Sequence, residues 1–342
     1  MLRAHDPDLA RRTRAPGVSA SASLPAGAIP LEQIRAARAR IAASIVRTPL
    51  VRLALENAPA EIWLKLENLQ PIGSFKLRGA SNALALAPRE QLARGVWTAS
   101  AGNMAQGVAW QARALGLRCT VVAPDHAPRT KLDAIERLGA SVVKVPFAEW
   151  FQILETRAHP GMEGLFVHPV SDPAVMAGNG TIGLEIVEDL PDVDAVIAPY
   201  GGGGLSCGIA SAVRALRPQA RVFACEVETA APFAASLAAG EPTRVTYTPS
   251  FVDGMGGPFV LAGMWPRASA LLAGSIVIGL DAVAAAVRLL AERQRVIAEG
   301  AGAAPLAAAL TGRAGAGRIV CVVSGGNIDP ARLARILVGE AP

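Results

Sequence analysis

The sequence predicts an α/β fold. Three observations carry the prediction. Apolar runs rich in Val and Ile alternate with alanine-rich stretches of helical length from Pro30 onward. Several of those runs are apolar almost throughout, as strands of a parallel sheet covered on both faces must be. The chain is 342 residues long, 51% hydrophobic and only 18% charged, enough for about two globular domains with substantial cores. In chain order, a helix is predicted over 30–46 (PLEQIRAARARIAASIV), a strand over 62–67 (IWLKLE) and a helix over 74–87 (SFKLRGASNALALA), which Pro88 closes. A strand over 95–100 (GVWTAS) leads to a helix over 103–116, and CTVVA at 119–123 leads to a helix over 129–139; both helices end on glycine. VVKVP at 142–146 is the next strand. A helix over 180–189 (GTIGLEIVED) precedes DAVIAPY at 194–200, and a helix over 205–217 stops before Pro218. RVFACEVE at 221–228, SIVIGL at 275–280, a helix over 281–295 and RIVCVVS at 318–324 complete the alternation. In such sheets ligands bind beyond the carboxyl ends of the strands, so the loops that open the helices are where chemistry belongs.

Bulk properties exclude several function classes. Gly, Pro and Arg interrupt every apolar run before the roughly 18 residues a spanning helix needs, so no membrane partner is expected. Residues 1–28 mix Arg, Ala, Ser and Pro without apolar period or signal-peptide core, and predict a disordered N-terminal extension. The formal net charge of +5 is not gathered into basic runs interleaved with aromatics, which argues against nucleic acid. Cys119, Cys207, Cys225 and Cys321 stand singly among apolar or small residues, as buried thiols of a reducing cytoplasm do. Neither they nor His126, His159 and His168 show a metal-type spacing.

Lysine is scarce. Of 33 Lys and Arg residues only Lys65, Lys76, Lys131 and Lys144 are lysine. A guanidinium stays protonated at any working pH, whereas an ammonium can be desolvated, lose its proton and attack a carbonyl. Lys76, in PIGSFKLRGA, is therefore a candidate nucleophile.

Three loops carry hydrogen-bond donors at helix starts. APYGGGGLSCGIA follows an apolar strand, and Gly201, Gly202, Gly203 and Gly204 expose backbone amides that can cradle a phosphate. The dinucleotide spacing fails, since its third glycine would fall at Ser206 or Cys207, and the GK[ST] ending of a nucleoside-triphosphate loop is missing. A phosphate not borne on a nucleotide is suggested. TASAGNMAQG presents Ser100, Gly102 and Asn103 before a helix and would suit a carboxylate; taken alone it reads as an ordinary N-cap. VVSGGNID ends the last strand at Ser324, and by itself is a turn. Jointly, one nucleophilic lysine and a phosphate cup suggest pyridoxal phosphate held as a Schiff base.

GSFKLRGA, SAGNMAQG, GGGGL and SGGN resemble, in kind and order, the cofactor segments of fold type II pyridoxal-phosphate enzymes, in particular the threonine and serine dehydratases and serine racemases. RTPL, HPVSDPAVMAGNGTIGLEI and VIAEGAGAA match as well, so the resemblance spans roughly residues 30–340. It implies a tryptophan synthase β-like fold of two three-layer αβα domains with mostly parallel sheets. Residues 29–94 and 168–342 would form a large cofactor-binding domain and 95–167 a small mobile one, with no regulatory ACT domain. Lys76 would carry the cofactor and remove the substrate α-proton, Phe75 would pack on the ring, and Asn103 would bond the ring hydroxyl. Gly201, Gly202, Gly203, Gly204 and Leu205 would hold the phosphate, and Ser324 would face the pyridine nitrogen, leaving it neutral. Ser100, Ala101, Gly102, Asn103 and Met104 would bind the substrate carboxylate. Arg78 would support the cofactor loop.

The chain departs from the family pattern at three places. Ala101 stands where serine racemases carry a second serine, and a methyl group cannot exchange a proton, so elimination is favoured over racemisation. Met104 replaces the usual histidine and leaves room for a larger or more apolar β-substituent. Glu226 fits the first ligand of the family's cation site, but Pro232 falls where the aspartate would be, so no metal is expected. The expected activity is elimination of water from an L-β-hydroxy amino acid of the L-threonine or L-serine type, giving a 2-oxo acid and ammonia in a cytoplasmic homodimer. The same chemistry on phenylserine or 3-hydroxyaspartate, an amino-acid racemase, and a cofactor-binding regulatory protein without catalysis remain as alternatives.

Overall fold

The structure, a computed structural model, describes residues 27–342; of the expected N-terminal extension, all but Gly27 and Ala28 lies outside the described residues. Among the described residues ten strands form two sheets: β1 Leu50–Arg52, β2 Glu61–Lys65, β3 Val96–Ala99, β4 Cys119–Pro124, β5 Ser141–Val145, β6 Leu165–Phe166, β7 Ala195–Pro199, β8 Arg221–Val227, β9 Ser275–Ile278 and β10 Arg318–Val322. The larger sheet runs β1-β2-β10-β7-β8-β9, parallel except for β1 against β2. The smaller runs β5-β4-β3-β6 and is parallel throughout.

The apolar-throughout strands are buried because both faces are covered. Along β7, Ala195 and Ile197 turn to one core and Val196 and Ala198 to another; along β10, Ile319 and Cys321 oppose Val320 and Val322. This is the two-residue alternation of a strand, with both sets apolar. Helices Leu280–Leu289 and Gly300–Leu310 fill the first core, and Leu31–Ile41, Pro173–Asp189 and Gly204–Leu216 the second. The smaller sheet is likewise covered on both sides, with Met104, Val108 and Leu132 against Val121 on one face and Ile153 against Trp97 and Val122 on the other. Both sheets are thus the middle layers of αβα sandwiches. No helix among the described residues is long and apolar enough to cross a membrane.

One predicted helix is longer than its sequence pattern. The 180–189 expectation is the second half of Pro173–Asp189, which Asp172 caps by accepting the Ala174 amide. Gly178, Gly180 and Gly183 in its middle hide the apolar period. Side chains there would run into the backbone carbonyls of Arg78, Gly208 and Ile209, so the glycines permit close approach to the helices on either side.

Candidate active site

Three parallel strands deliver their carboxyl ends to one place. β3 runs into Ser100–Met104, β7 into Gly201–Leu205 and β10 into Ser324. β2 arrives there through a short turn at Glu67–Leu69, after which Lys76 opens the helix Lys76–Leu86. Backbone bonds stitch the Lys76 loop to the β10 end: the Phe75 amide donates to Ser324 O at 3.0 Å and the Gly326 amide to Gly73 O at 2.9 Å. Phe75, Lys76, all of Ser100–Met104, Gly201–Leu205 and Ser324 line a single cavity of about 420 Å³. That volume suits a small-molecule site.

A buried ionic cluster sets where the Lys76 helix begins. Arg78 is fully buried and forks onto both oxygens of Glu67 at 2.8 Å and onto Glu185 at 2.6 and 2.9 Å. Lys65, also fully buried, reaches Glu185 at 2.6 Å and Thr48 O at 2.7 Å. Two cations meet two carboxylates, so the charges cancel and the donors are matched by acceptors. Desolvation opposes the charged state of Arg78, yet the paired carboxylates push the guanidinium further up. The cluster ties β2, the following turn and the Pro173–Asp189 helix to the first turn of the Lys76 helix. Arg78 is thereby held two residues from Lys76 as a support, remote from solvent.

Lys76 Nζ donates to Pro169 O at 2.8 Å and lies 5.2 Å from the Phe75 ring centroid. Burial pulls its ammonium down to about 8, while the Glu299 carboxylate limits the fall. His168 holds the Pro169 turn from beneath. Its Nδ1 accepts the Val170 and Ser171 amides, each at 3.0 Å, so Nε2 carries the proton and donates to Leu154 O. Burial lowers this imidazole to about 4, which keeps it neutral beside Lys76.

The Gly201–Leu205 turn has the features of an anion cup. Its amides donate to no protein acceptor among the described residues, and no side chain caps the helix that Gly203 introduces. Gly203 adopts φ +89°, the left-handed conformation that glycine takes without cost. A methyl on Gly204 would overlap the Val170 carbonyl. A row of unused amides at a helix N-terminus is what a phosphate needs, so the residues present fit the phosphate of a bound cofactor.

Several lining residues were not singled out from sequence. Glu299 stands at the cavity wall, 8% exposed, and accepts from Asn103 Nδ2 at 2.8 Å. Burial and the neighbouring Asp253 raise its carboxyl to about 7. The signal that could have found it is a lone carboxylate set between VIA and GAGAA, just where a helix starts. Pro169 and Val170, together with Asp253 and Met255, complete the larger-sheet side; His126, Lys131, Phe147 and Trp150 line the other. Glu226 lies elsewhere: its oxygens accept the Phe233 and Ala234 amides at 2.8 Å and the Ser275 hydroxyl at 2.6 Å, so it caps the helix Pro232–Ala239. The four cysteines are free and buried.

The chain belongs to the pyridoxal-phosphate dependent enzymes, whose family model matches residues 41–325. Its cofactor is accordingly pyridoxal phosphate. It is 41% identical over 311 residues, 88% of this chain and 76% of the relative, to an L-threonine ammonia-lyase of Geobacter sulfurreducens. Among solved structures it is similar to a maize serine racemase (32% identity, TM-score 0.81, covering 91% of this chain and 97% of that one) and to the processed form of threonine deaminase isoform 2 from Solanum lycopersicum (32% identity, TM-score 0.79, covering 90% and 94%).

Proposed function

We propose that this chain is an ammonia-lyase that eliminates water from L-threonine or L-serine and releases the 2-oxo acid and ammonia. The observation that carries the reading is the opening of the Lys76 amine, one set of unused helix-start amides and one donor-rich loop into a single cavity. The relatives named as L-threonine ammonia-lyase and threonine deaminase support it.

Pyridoxal phosphate, when bound, supplies the electron sink that acidifies the substrate α-C–H. The chain's own residues do the rest. The Gly201–Leu205 amides would hold the phosphate, Asn103 would donate to the ring hydroxyl oxygen and Phe75 would pack on the ring. The Ser324 hydroxyl would meet the pyridine nitrogen with a neutral partner rather than a carboxylate, a setting that suits loss of a β-leaving group. The Ser100 hydroxyl and the Ala101, Asn103 and Met104 amides would grip the substrate carboxylate, while the Ser100 and Gly102 amides are already bonded to Val122 O and Ser100 Oγ. Lys76, with its ammonium shifted toward neutrality, takes the α-proton. Ala101 offers no proton to the opposite face, so net elimination follows rather than inversion. Residues 95–167 act as the unit that closes over substrate. The Lys131–Asp253 ion pair at 2.7 Å, both partners lining the cavity from opposite sides, supports that part of the reading. Homodimeric assembly and a cytoplasmic address belong to the same reading.

The test is product stoichiometry. L-threonine is expected to yield 2-oxobutanoate and ammonia in equal amounts, ahead of phenylserine and 3-hydroxyaspartate in kcat/KM; a panel in which only racemised amino acid accumulates sinks the proposal.

Covalent loading should carry the signature of a low lysine pKa. Only the free amine is nucleophilic, so the rate at which cofactor-free protein takes up pyridoxal phosphate at Lys76 should climb with pH through about 8 and then level. A rate still rising tenfold per pH unit between pH 9 and 10, roughly the behaviour of an ordinary lysine near 10.4, contradicts the assignment.

A further inference from the structure

The amide of Asn103 sits between two other side chains. Asn327 Nδ2 donates to Ile72 O at 2.9 Å and to Asn103 Oδ1 at 2.7 Å. On the other side, Asn103 Nδ2 donates to Glu299 Oε1 at 2.8 Å. The directions of these bonds are forced in sequence. Ile72 O is a main-chain carbonyl and can only accept, so Asn327 must turn its nitrogen toward it. That nitrogen spends both hydrogens, one on Ile72 and one on Asn103, so the Asn103 atom facing it must be the carbonyl oxygen. The Asn103 nitrogen then faces Glu299, whose Oε1 accepts whether or not the carboxyl carries a proton on Oε2. One of the two Asn103 N–H bonds is used there. The other has no protein partner among the described residues, and Asn103 lines the cavity.

Rotating the Asn103 amide by half a turn would set its oxygen against Glu299 and its NH2 against the Asn327 NH2. The contact with Asn327 would become a repulsion between two NH2 groups in either protonation state of Glu299, and the contact with an ionised Glu299 would become one between two acceptors. Asn327 is itself fixed, because the Gly326 amide before it is bonded to Gly73 O and its side chain packs over Gly73. The clamp therefore spans Gly73 just before the Lys76 helix, the start of the Asn103 helix, the residue before Gly300 and the end of the β10 loop.

We propose that Asn327 and Glu299 clamp the Asn103 amide in the single orientation that leaves an N–H for the cofactor, which makes Asn327, the last residue of SGGN, a positioning residue for pyridoxal phosphate. The inference rests on the reading above in which Asn103 donates to the cofactor ring. It gives SGGN two separate tasks: Ser324 would face the ring, and Asn327 orients a residue 224 positions away in sequence.

A double-mutant cycle on cofactor affinity tests it. The dissociation constant of pyridoxal phosphate and the visible absorption maximum of the loaded protein are measured for wild type, Asn327→Ala, Asn103→Ala and the double variant. Asn327→Asp serves as a second single variant of equal size that cannot donate, and thermal unfolding verifies that each protein is folded. Asn327→Ala and Asn327→Asp are expected to weaken affinity about tenfold, the worth of one well-placed hydrogen bond, and to shift the absorption band in the same direction as Asn103→Ala. In the Asn103→Ala background, removing Asn327 should change affinity by less than about twofold, since a residue acting only through Asn103 has nothing left to orient. Equal losses in both backgrounds would mean that Asn327 acts through Ile72 alone and would overturn the clamp while leaving the Asn103 contact intact. An Asn103→Ala protein that binds the cofactor as tightly as wild type overturns the underlying contact, and the clamp with it.

Discussion

Replacing Lys76 with alanine is expected to lower turnover of L-threonine by about 10⁴-fold or more and to abolish borohydride-stable attachment of the cofactor. The size follows from the two tasks that fall on one amine. Lys76 is the lysine that lines the cavity close to the anion cup; Lys131 reaches the same cavity but is committed to Asp253 at 2.7 Å. Lys65 is locked in the ionic cluster with Glu185. No other lysine is therefore placed to substitute. Lys76→Arg should fare no better, because a guanidinium keeps the charge and the reach while remaining protonated and non-nucleophilic. Wild-type protein treated with borohydride should carry the reduced cofactor on the peptide containing Lys76. Label appearing on Lys131 instead, or a yellow and reducible Lys76→Ala protein, contradicts the assignment.

Arg78→Met is expected to cost about 3–5 kcal/mol of stability, read in urea as a lower midpoint with an unchanged slope. The substitution leaves Glu67 and Glu185 buried with only Lys65 to balance them. Glu67 is the more exposed to this loss: burial raises its carboxyl, and the Arg78 charge and hydrogen bonds are what bring it below the ordinary value. Without Arg78 a carboxyl at zero exposure retains only the Thr48 hydroxyl, the Gln70 amide and a more distant Lys65. Arg78→Lys should be milder but still destabilising, since a single ammonium cannot fork onto two carboxylates. By contrast, breaking the Lys131–Asp253 pair, whose side chains are 31% and 42% exposed, should cost about 1 kcal/mol or less. A loss below about 1 kcal/mol for Arg78→Met would show that the cluster is not what anchors the Lys76 helix.

The sequence made the sheets readable because parallel strands buried on both faces leave unbroken apolar runs, as in DAVIAPY and RIVCVVS. It left β1 and β6 unread, since three and two residues are too short to express any period. The helix Gly300–Leu310 was equally silent: it is almost all alanine and glycine, carries Pro305 inside, and is buried on every side, so it has no polar face to mark its period. The cofactor loops were legible for a different reason. Glycines in a row and hydroxyl or amide residues at a helix start are local chemistry, and Lys76, Gly201–Gly204, Ser100–Met104 and Ser324 all line one cavity. What escaped was non-local. Glu299 and Asn327 matter through Asn103, 196 and 224 positions away, and nothing in their own neighbourhoods states that relation. The sequence around Arg78 marks it only as a support, because its partners Glu67 and Glu185 come from two other elements that the fold brings together.

Removal of the α-proton at Lys76 should lead to loss of the β-hydroxyl rather than to return of a proton at the α-carbon. Proton NMR of L-threonine turnover in deuterium oxide tests this directly. The threonine signals should decline together while 2-oxobutanoate appears carrying one deuterium at C3, with ammonia released in equal amount. Loss of the α-proton signal from threonine that otherwise persists, with allo-threonine appearing and no 2-oxobutanoate, would contradict it.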